Sequence, residues 1–143
     1  MTQRHMYELS SSECQELLES TRIGRLVYAD ERGPIAVPVN YGMEGSNIVM
    51  RVGGGAKVAA MAQQTLAFEI DSIANEEHAG WSVIVRGSGQ ELDLEDVPEI
   101  LHHMEGHFPR PWAAGLHNIW LRITPDTVTG RRLGEIDEAA PTN

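Results

Sequence analysis

Short apolar segments that stop repeatedly at turn residues are the feature that most constrains the fold of this chain. Runs of β-branched and aromatic residues end at Gly, Pro, Asn or Asp, which is typical of antiparallel strands joined by tight turns. We predict strands at 23–29, 34–41, 47–52, 65–71, 80–92, 118–124 and 126–133, with the last two paired across a Pro-Asp turn. Such a series with only short helices predicts a mainly β fold, a closed or partly closed barrel.

Helices are predicted at three places between these strands. Ser10 followed by Glu13 is a capping box, and it predicts a helix to about Ser20. Apolar residues at helical spacing predict another helix at 93–104, and a short one is expected to carry Lys57. The 143 residues suit a single domain at 1–133, and the acidic, Pro-containing segment 134–143 is predicted to be a disordered tail.

The charge balance excludes several classes of partner. The chain has 11 basic and 21 acidic residues, a formal net charge of -10, and no basic stripe that a nucleic-acid backbone would follow. Nucleic acid and anionic membranes are therefore not expected as partners. No apolar run approaches membrane-spanning length, Cys14 is the only cysteine, and the N-terminal segment lacks a signal-peptide core. We expect a cytoplasmic protein.

A glycine run beside two cations is the strongest binding signal in the sequence. Arg51 precedes the glycines at 53–55, and Lys57, the only lysine, follows them at an expected helix start. Glycine-rich backbone and free helical N–H groups favour an anion such as phosphate. Val58 excludes both a P-loop, which needs Ser or Thr there, and a GxGxxG dinucleotide fold, which needs a small residue. A surface turn with two solvated cations is the alternative.

Other catalytic and metal-binding patterns are weak. His103 and His107 have the spacing of zinc ligands on a helix, but Gly106 and the nearby prolines interrupt a helix there, and we predict no metal site. Cys14 lies on the apolar face of the first helix, which indicates packing. No nucleophile, base and orienting residue occur together, so we identify no catalytic side chain. If the protein is an enzyme, a cofactor carries the chemistry.

Five segments occur in an order that is similar to a known family. They are Gly24-Arg25-Leu26, Val37-Pro38-Val39-Asn40-Tyr41, the stretch 51–57, Phe68-Glu69-Ile70-Asp71, and Gly80-Trp81-Ser82-Val83 with Arg86-Gly87. Their succession resembles the FMN-binding split-barrel proteins, in particular the small pyridoxamine 5'-phosphate oxidase-like flavoproteins related to nitroimidazole-resistance proteins. The similarity covers about 9–133. It implies an FMN-binding split β-barrel.

The resemblance also implies a set of cofactor-binding residues. Arg51 and Lys57 correspond to the cations that hold the flavin phosphate. Pro38, Val39, Asn40 and Tyr41 would run beside the isoalloxazine ring, and Trp81 and Ser82 would approach the ring or phosphate across the boundary of a homodimer. Simpler roles compete with these. Trp81 would also suit a position in the core or at an interface, and Pro38 would suit an edge strand or a bulge. Arg25 could form a surface ion pair, and Asp71 could simply end its strand.

The function implied is that of an FMN-dependent oxidoreductase that transfers hydride or electrons to a small organic acceptor. A flavin carrier or sensor without turnover is the alternative of another class, and a cofactor-free dimerising module is a third. Some relatives use the deazaflavin F420 or haem, so these cofactors stay open. The Arg-x-His pair of true pyridoxamine phosphate oxidases is missing near the C-terminus, where Arg131-Arg132-Leu133 stands, and vitamin B6 oxidation is not expected.

Overall fold

Antiparallel strands dominate the computed structural model, which describes residues 4–53, 61, 64–74, 79–104 and 119–135. Seven strands and two helices lie within these ranges. The strands are β1 (Arg4–Glu8), β2 (Ile23–Asp30), β3 (Gly33–Glu44), β4 (Asn47–Val52), β5 (Thr65–Ala74), β6 (Ala79–Glu91) and β7 (Ile119–Glu135). The helices are α1 (Ser11–Ser20) and α2 (Val97–His102).

Six of the strands close into a barrel. They pair in the order β7-β4-β3-β2-β5-β6, and β6 pairs back onto β7, so the sheet has no free edge along this ring. The strand β1 lies outside the ring and pairs with the far end of β7, with Arg4 opposite Glu135 and Glu8 opposite Arg131. The expectation of a mainly β split barrel is therefore confirmed.

The interior of the barrel is apolar because the strands alternate between a buried and an exposed face. In β2, for example, Gly24, Leu26 and Tyr28 are buried while Ile23 and Arg25 are exposed. No buried residue among those the structure describes is polar or charged. The main core contains Cys14, Leu18, Leu26, Tyr28, Val39, Tyr41, Ile48, Met50, Val52, Met61, Leu66, Phe68, Ile70, Val83, Val85, Leu121 and Ile123.

Phe68 occupies the middle of this core. Its ring is fully buried and meets the ring of Tyr41 edge to face, with 4.7 Å between the ring centroids. Gly24 on the neighbouring strand makes room for it, since a Cβ atom at Gly24 would lie 2.3 Å from Phe68 Cζ. A glycine is needed at that position, which explains the first residue of the Gly24-Arg25-Leu26 segment.

The helix α1 begins with the predicted capping box. Ser10 Oγ accepts a hydrogen bond from Glu13 N at 3.2 Å, and Ser10 N donates to Glu13 Oε1 at 3.0 Å. This backbone donor lowers the pKa of Glu13, with a smaller contribution from the positive charge of Arg132. The helix buries Cys14 and Leu18 in the main core, and burial raises the pKa of the Cys14 thiol. A packing role for Cys14 agrees with this position.

A second, smaller core lies under α2. Val97, Ile100 and Met104 pack with Leu92 and with Val49 of β4. The regular helix covers only Val97–His102, within the predicted range 93–104, because turns precede and follow it. Among the described residues, none of the helices has the length and apolarity that would be required to cross a membrane.

The C-terminal part of the fold differs from the sequence prediction. Instead of two strands joined by a Pro-Asp turn, β7 is one continuous strand. Its register against β6 shifts between the Gly87–Pro125 and Arg86–Thr127 pairs, so the proline sits at an irregularity of the ladder rather than at a turn. The strand β1 was not predicted. The end of β7 also runs to Glu135, two residues into the predicted tail, and 136–143 lie outside the described residues.

Candidate functional site

Arg51 is the last residue but one of β4, and the glycine run begins two residues after it. It lies opposite Trp120 of β7, and its guanidinium carbon is 5.2 Å from the centre of the Trp120 ring. A guanidinium over an indole face is attracted to the ring and is held in a defined orientation. The side chain is half-buried. The rest of the predicted anion loop, including Lys57, lies outside the described residues, so the structure describes Arg51 and Gly53 of this motif.

The segment from Pro38 to Tyr41 is divided between the two faces of β3. Val39 and Tyr41 are buried in the core, whereas Pro38 is exposed and Asn40 is partly exposed. Tyr41 and Met50 form the last pair of the β3–β4 ladder, and Asn40 and Arg51, both partly exposed, are the next residues beyond it on the two strands. An amide and a guanidinium thus follow the last pair of this ladder at this edge of the barrel.

The Tyr41 side chain has a structural role inside the barrel. Its hydroxyl donates a hydrogen bond of 2.6 Å to the carbonyl oxygen of Leu18 at the end of α1. Burial raises the pKa of the phenol to about 12, against a smaller opposing effect of Thr21. Through this bond the side chain joins α1 to β3. From this segment, a ligand on the outer surface would meet the side chains of Pro38 and Asn40.

Two carboxylates and an arginine form a cluster on the same outer surface. Arg25 Nη1 lies 3.2 Å from Glu69 Oε1 and 3.1 Å from Asp71 Oδ2. Burial, followed by the hydrogen bond and charge of Asp71, raises the pKa of Glu69 to about 7, and Arg25 opposes this rise. The expected surface pairing of Arg25 is therefore present. The signal for the carboxylate pair was available in the sequence, because Glu69 and Asp71 are two residues apart on one strand and so share a face.

Trp81 and Ser82 lie in a different part of the barrel. Together with Met6, Ile73, Arg131 and Leu133 they line an open pocket of about 390 Å³ between β1, β5, β6 and β7. Trp81 is half-buried and also packs against the main core. Only β7 lies between β6 and β4 in the closed ring, but Trp81 is opposite Arg132 whereas Arg51 is opposite Trp120, twelve residues away along β7. Within one chain, the structure does not bring Trp81 and Ser82 beside Arg51.

The sequence pattern of one family spans nearly all of these elements. The pattern described as pyridoxamine 5'-phosphate oxidase matches residues 10–132, from the N-cap of α1 into the last third of β7. The chain belongs to the pyridoxamine 5'-phosphate oxidase family. The family resemblance inferred from the five sequence segments is confirmed.

Individual relatives are similar to the chain over most of its length. The uncharacterized protein Rv0080 of Mycobacterium tuberculosis is 29% identical over 140 residues, which are 91% of this chain and 87% of the relative. The FAD binding protein of Mycobacterium smegmatis is 29% identical with a TM-score of 0.65, covering 90% of this chain and 98% of that protein. The FAD and heme binding protein of the same organism shares the fold at 15% identity and a TM-score of 0.66, covering 95% and 76%.

The histidines of this family member show no metal cluster in the described part of the chain. His102 and His103 are exposed at the end of α2, with their rings 5.7 Å apart. His107 and His117 lie outside the described residues. Among the residues that are described, no group of three or more His, Cys, Asp or Glu side chains is placed to hold a metal ion.

Proposed function

We propose that this protein binds a flavin nucleotide, with the flavin phosphate on Arg51 and Lys57. The observation that carries the proposal is the position of Arg51, which is oriented by Trp120, followed by the glycine run and, like Asn40, placed beyond the last pair of the β3–β4 ladder. A rigid guanidinium binds a phosphate through paired hydrogen bonds. The similar protein of Mycobacterium smegmatis is described as FAD binding, which supports a flavin.

FMN is the flavin that we propose, because a single phosphate matches the two cations of the loop. FAD carries the same phosphate next to its ribityl chain, so it would use the same two cations, and the description of the Mycobacterium smegmatis protein makes FAD the second candidate. The Pro38–Tyr41 segment would then lie beside the isoalloxazine ring, with Asn40 offering an amide on the outer surface. F420 and haem are the remaining alternatives for the titration described below.

We further propose that the binding unit is a homodimer. The outer face of β2 and β3 exposes Ile23 and Pro38 around the Arg25 cluster, and an exposed apolar side chain beside a paired charge suits an interface. Trp81 and Ser82 are far from Arg51 within one chain. They would reach the same flavin only from the second copy, which agrees with the role that the family resemblance implies.

The chemistry that the flavin supplies is hydride or electron transfer to a small organic acceptor. Arg51 and Lys57 would hold its phosphate, and the Pro38–Tyr41 segment would position its ring. An oxidoreductase would use this arrangement, and a flavin carrier would bind its flavin with the same residues. If the flavin-loaded protein oxidises reduced nicotinamide in the presence of an artificial electron acceptor, the oxidoreductase is supported. If the flavin is bound but no such oxidation occurs, the carrier is supported.

An absorbance and fluorescence titration tests the binding proposal. Purified protein is titrated with FMN, FAD, F420 and haem, alongside the variants Arg51→Gln and Arg32→Gln. Both variants lose one positive charge. Arg32 lies in the turn that precedes β3, at the opposite end of β3 from its pairing with β4. We expect Arg51→Gln to weaken FMN binding by about 1.5–3 kcal/mol, the range of a charge-assisted hydrogen bond, and Arg32→Gln to change it little. Equal affinities in all three proteins would exclude Arg51 from the site.

A further inference from the structure

We propose that two copies of the chain associate through the outer surface of β3, β2 and β5, and that association takes up a proton on the carboxylate pair of Glu69 and Asp71. This dependence on pH deepens the homodimer proposed above and rests on it. The partner is a second copy because Trp81 and Arg51 lie opposite Arg132 and Trp120, at separate parts of β7. A flavin site that uses both Trp81 and Arg51 therefore needs two chains.

The outer surface of these three strands is largely apolar. One row across the sheet places Ala36 of β3, Val27 of β2 and Ala67 of β5 side by side. Ile23, which is 46% exposed, and the exposed Pro38 lie on the same side of the sheet. Residues opposite one another share a face, and alternate residues along a strand return to that face. This patch, called the Val27 surface below, is suited to contact with another apolar surface.

The charges of the Val27 surface are concentrated in one cluster. Arg25 is opposite Pro38 on one side and Glu69 on the other. A single nitrogen atom, Arg25 Nη1, lies 3.2 Å from Glu69 Oε1 and 3.1 Å from Asp71 Oδ2. The two carboxylate side chains are only 26% and 22% exposed. One guanidinium opposes two carboxylates, so the ionised cluster carries one net negative charge, and one proton brings it to zero.

The strands on either side of β5 bring no second cation to this cluster. On β6, Ile84 and Ser82 are opposite the two carboxylates, and neither side chain is charged. The charged residues on that side are Arg86, one row away on β6, and Arg131 on β7. Among the described residues, neither arginine forms an ion pair with the carboxylates. The cluster therefore reaches neutrality by taking up a proton.

Association of two chains favours the protonated pair. A second chain over the Val27 surface would remove water from the cluster, and burial of a net charge is unfavourable. In one chain, burial, followed by the hydrogen bond and charge of Asp71, already raises the pKa of Glu69 to about 7. Further burial in the dimer would raise this pKa again. The dimer then holds protons that separate chains release, so it is strongest below about pH 7 and weakens as the pH rises above 7.

Sedimentation velocity of the flavin-free, full-length protein at several concentrations tests this dependence. We expect the dissociation constant of the wild-type dimer to rise by about tenfold or more between pH 6 and pH 8, because each chain can release a proton on separation. Glu69→Gln keeps the shape of the side chain without its charge, so its dissociation constant should stay nearly constant. Glu91→Gln removes an exposed carboxylate at the end of β6 and should follow the wild type. Repeating the series at high salt screens the general repulsion between two acidic chains.

A second pair of variants tests where the two chains meet. Ile23→Asp places a charge on the Val27 surface, whereas Leu94→Asp places one at an apolar residue that is 68% exposed outside it. We expect Ile23→Asp to weaken the dimer by about a hundredfold or more at every pH, because a charge without a partner would be buried twice in the interface. Leu94→Asp should leave the dissociation constant unchanged. Circular dichroism checks that both variants fold.

Two results would overturn the proposal and leave the homodimer intact. The first is a dissociation constant that changes with pH to the same extent in the wild type and in Glu69→Gln. The second is a dimer that Ile23→Asp does not weaken. A wild-type protein that stays monomeric at every pH would overturn the homodimer as well. Flavin binding is measured separately, by the titration with FMN described above.

Discussion

Asn40 and Tyr41 are neighbours in β3, but they lie on opposite sides of the barrel wall. Tyr41 is 2% exposed and packs against Phe68, whereas Asn40 is partly exposed on the outer surface. The same division runs through β5, where Phe68 and Ile70 are inside and Glu69 is outside. In these strands one set of residues forms the core, and the alternate set faces outward, where it includes the residues that we propose for binding. Substitutions on the two faces should therefore change different measured quantities.

The largest expected effect is on the inside. Replacing Phe68 by Ala removes a fully buried ring from the centre of the core, and large-to-small changes of this kind cost about 3–5 kcal/mol in the free energy of unfolding. Urea unfolding measures this difference. Thr65→Ala, at an exposed position of the same strand, is the control and should stay within about 0.5 kcal/mol of the wild type. A similar small change in both variants would contradict the described packing.

A smaller effect is expected for the hydroxyl of Tyr41. Tyr41→Phe removes the hydrogen bond to the Leu18 carbonyl and should reduce the free energy of unfolding by about 0.5–1.5 kcal/mol. Tyr28→Phe is a matched control, since Tyr28 is also buried but its hydroxyl makes no side-chain hydrogen bond within the described part of the chain. Thermal unfolding of both variants gives the comparison. Equal stabilities would mean that the bond between α1 and β3 contributes nothing.

The smallest expected effect is on the outside and depends on pH. The pKa of Glu69 is raised from 4.5 to about 7, so the folded state holds a proton there that the unfolded state releases. The corresponding stability is fully present below pH 4.5 and is lost as the pH rises through about 7. In Glu69→Gln this loss should be absent. Melting temperatures between pH 5 and 8 should therefore fall more steeply for the wild type than for the variant.

The control for this prediction is Glu91→Gln, which removes an exposed carboxylate at the end of β6. Its melting temperatures should follow those of the wild type at each pH. If the wild type and Glu69→Gln gave parallel curves, the pKa of Glu69 would not be raised in the folded protein.

Local signals in the sequence predicted the elements that depend on local interactions. The capping box placed the start of α1, and turn residues placed β4 at Asn47–Val52. The strand β1 could not be found in this way, because its residues lack an apolar alternation and it forms by pairing with β7, more than a hundred residues away. Pro125 was read as a turn, but the long pairing with β6 keeps β7 continuous and leaves only a shift in register.

Only part of the candidate site was predicted, because the rest also depends on contacts between distant segments. The sequence indicated Arg51 from its place before the glycine run, and this residue does lie near the end of a strand, with Asn40 on the neighbouring strand. The partners that orient it come from other strands, and Trp120 was not predicted. Likewise, the pocket beside Trp81 and Ser82 depends on the pairing of four strands. Contacts between distant segments are set by register, which a single sequence does not reveal.

The most direct test of the central proposal compares FMN with riboflavin, which lacks the phosphate, in the wild type and in Arg51→Gln. Dissociation constants from fluorescence quenching form a cycle that isolates the interaction between Arg51 and the phosphate. We expect the wild type to prefer FMN by about 10-fold to 150-fold, and the preference to fall by about tenfold or more in the variant. The same preference in both proteins would show that Arg51 does not bind the flavin phosphate.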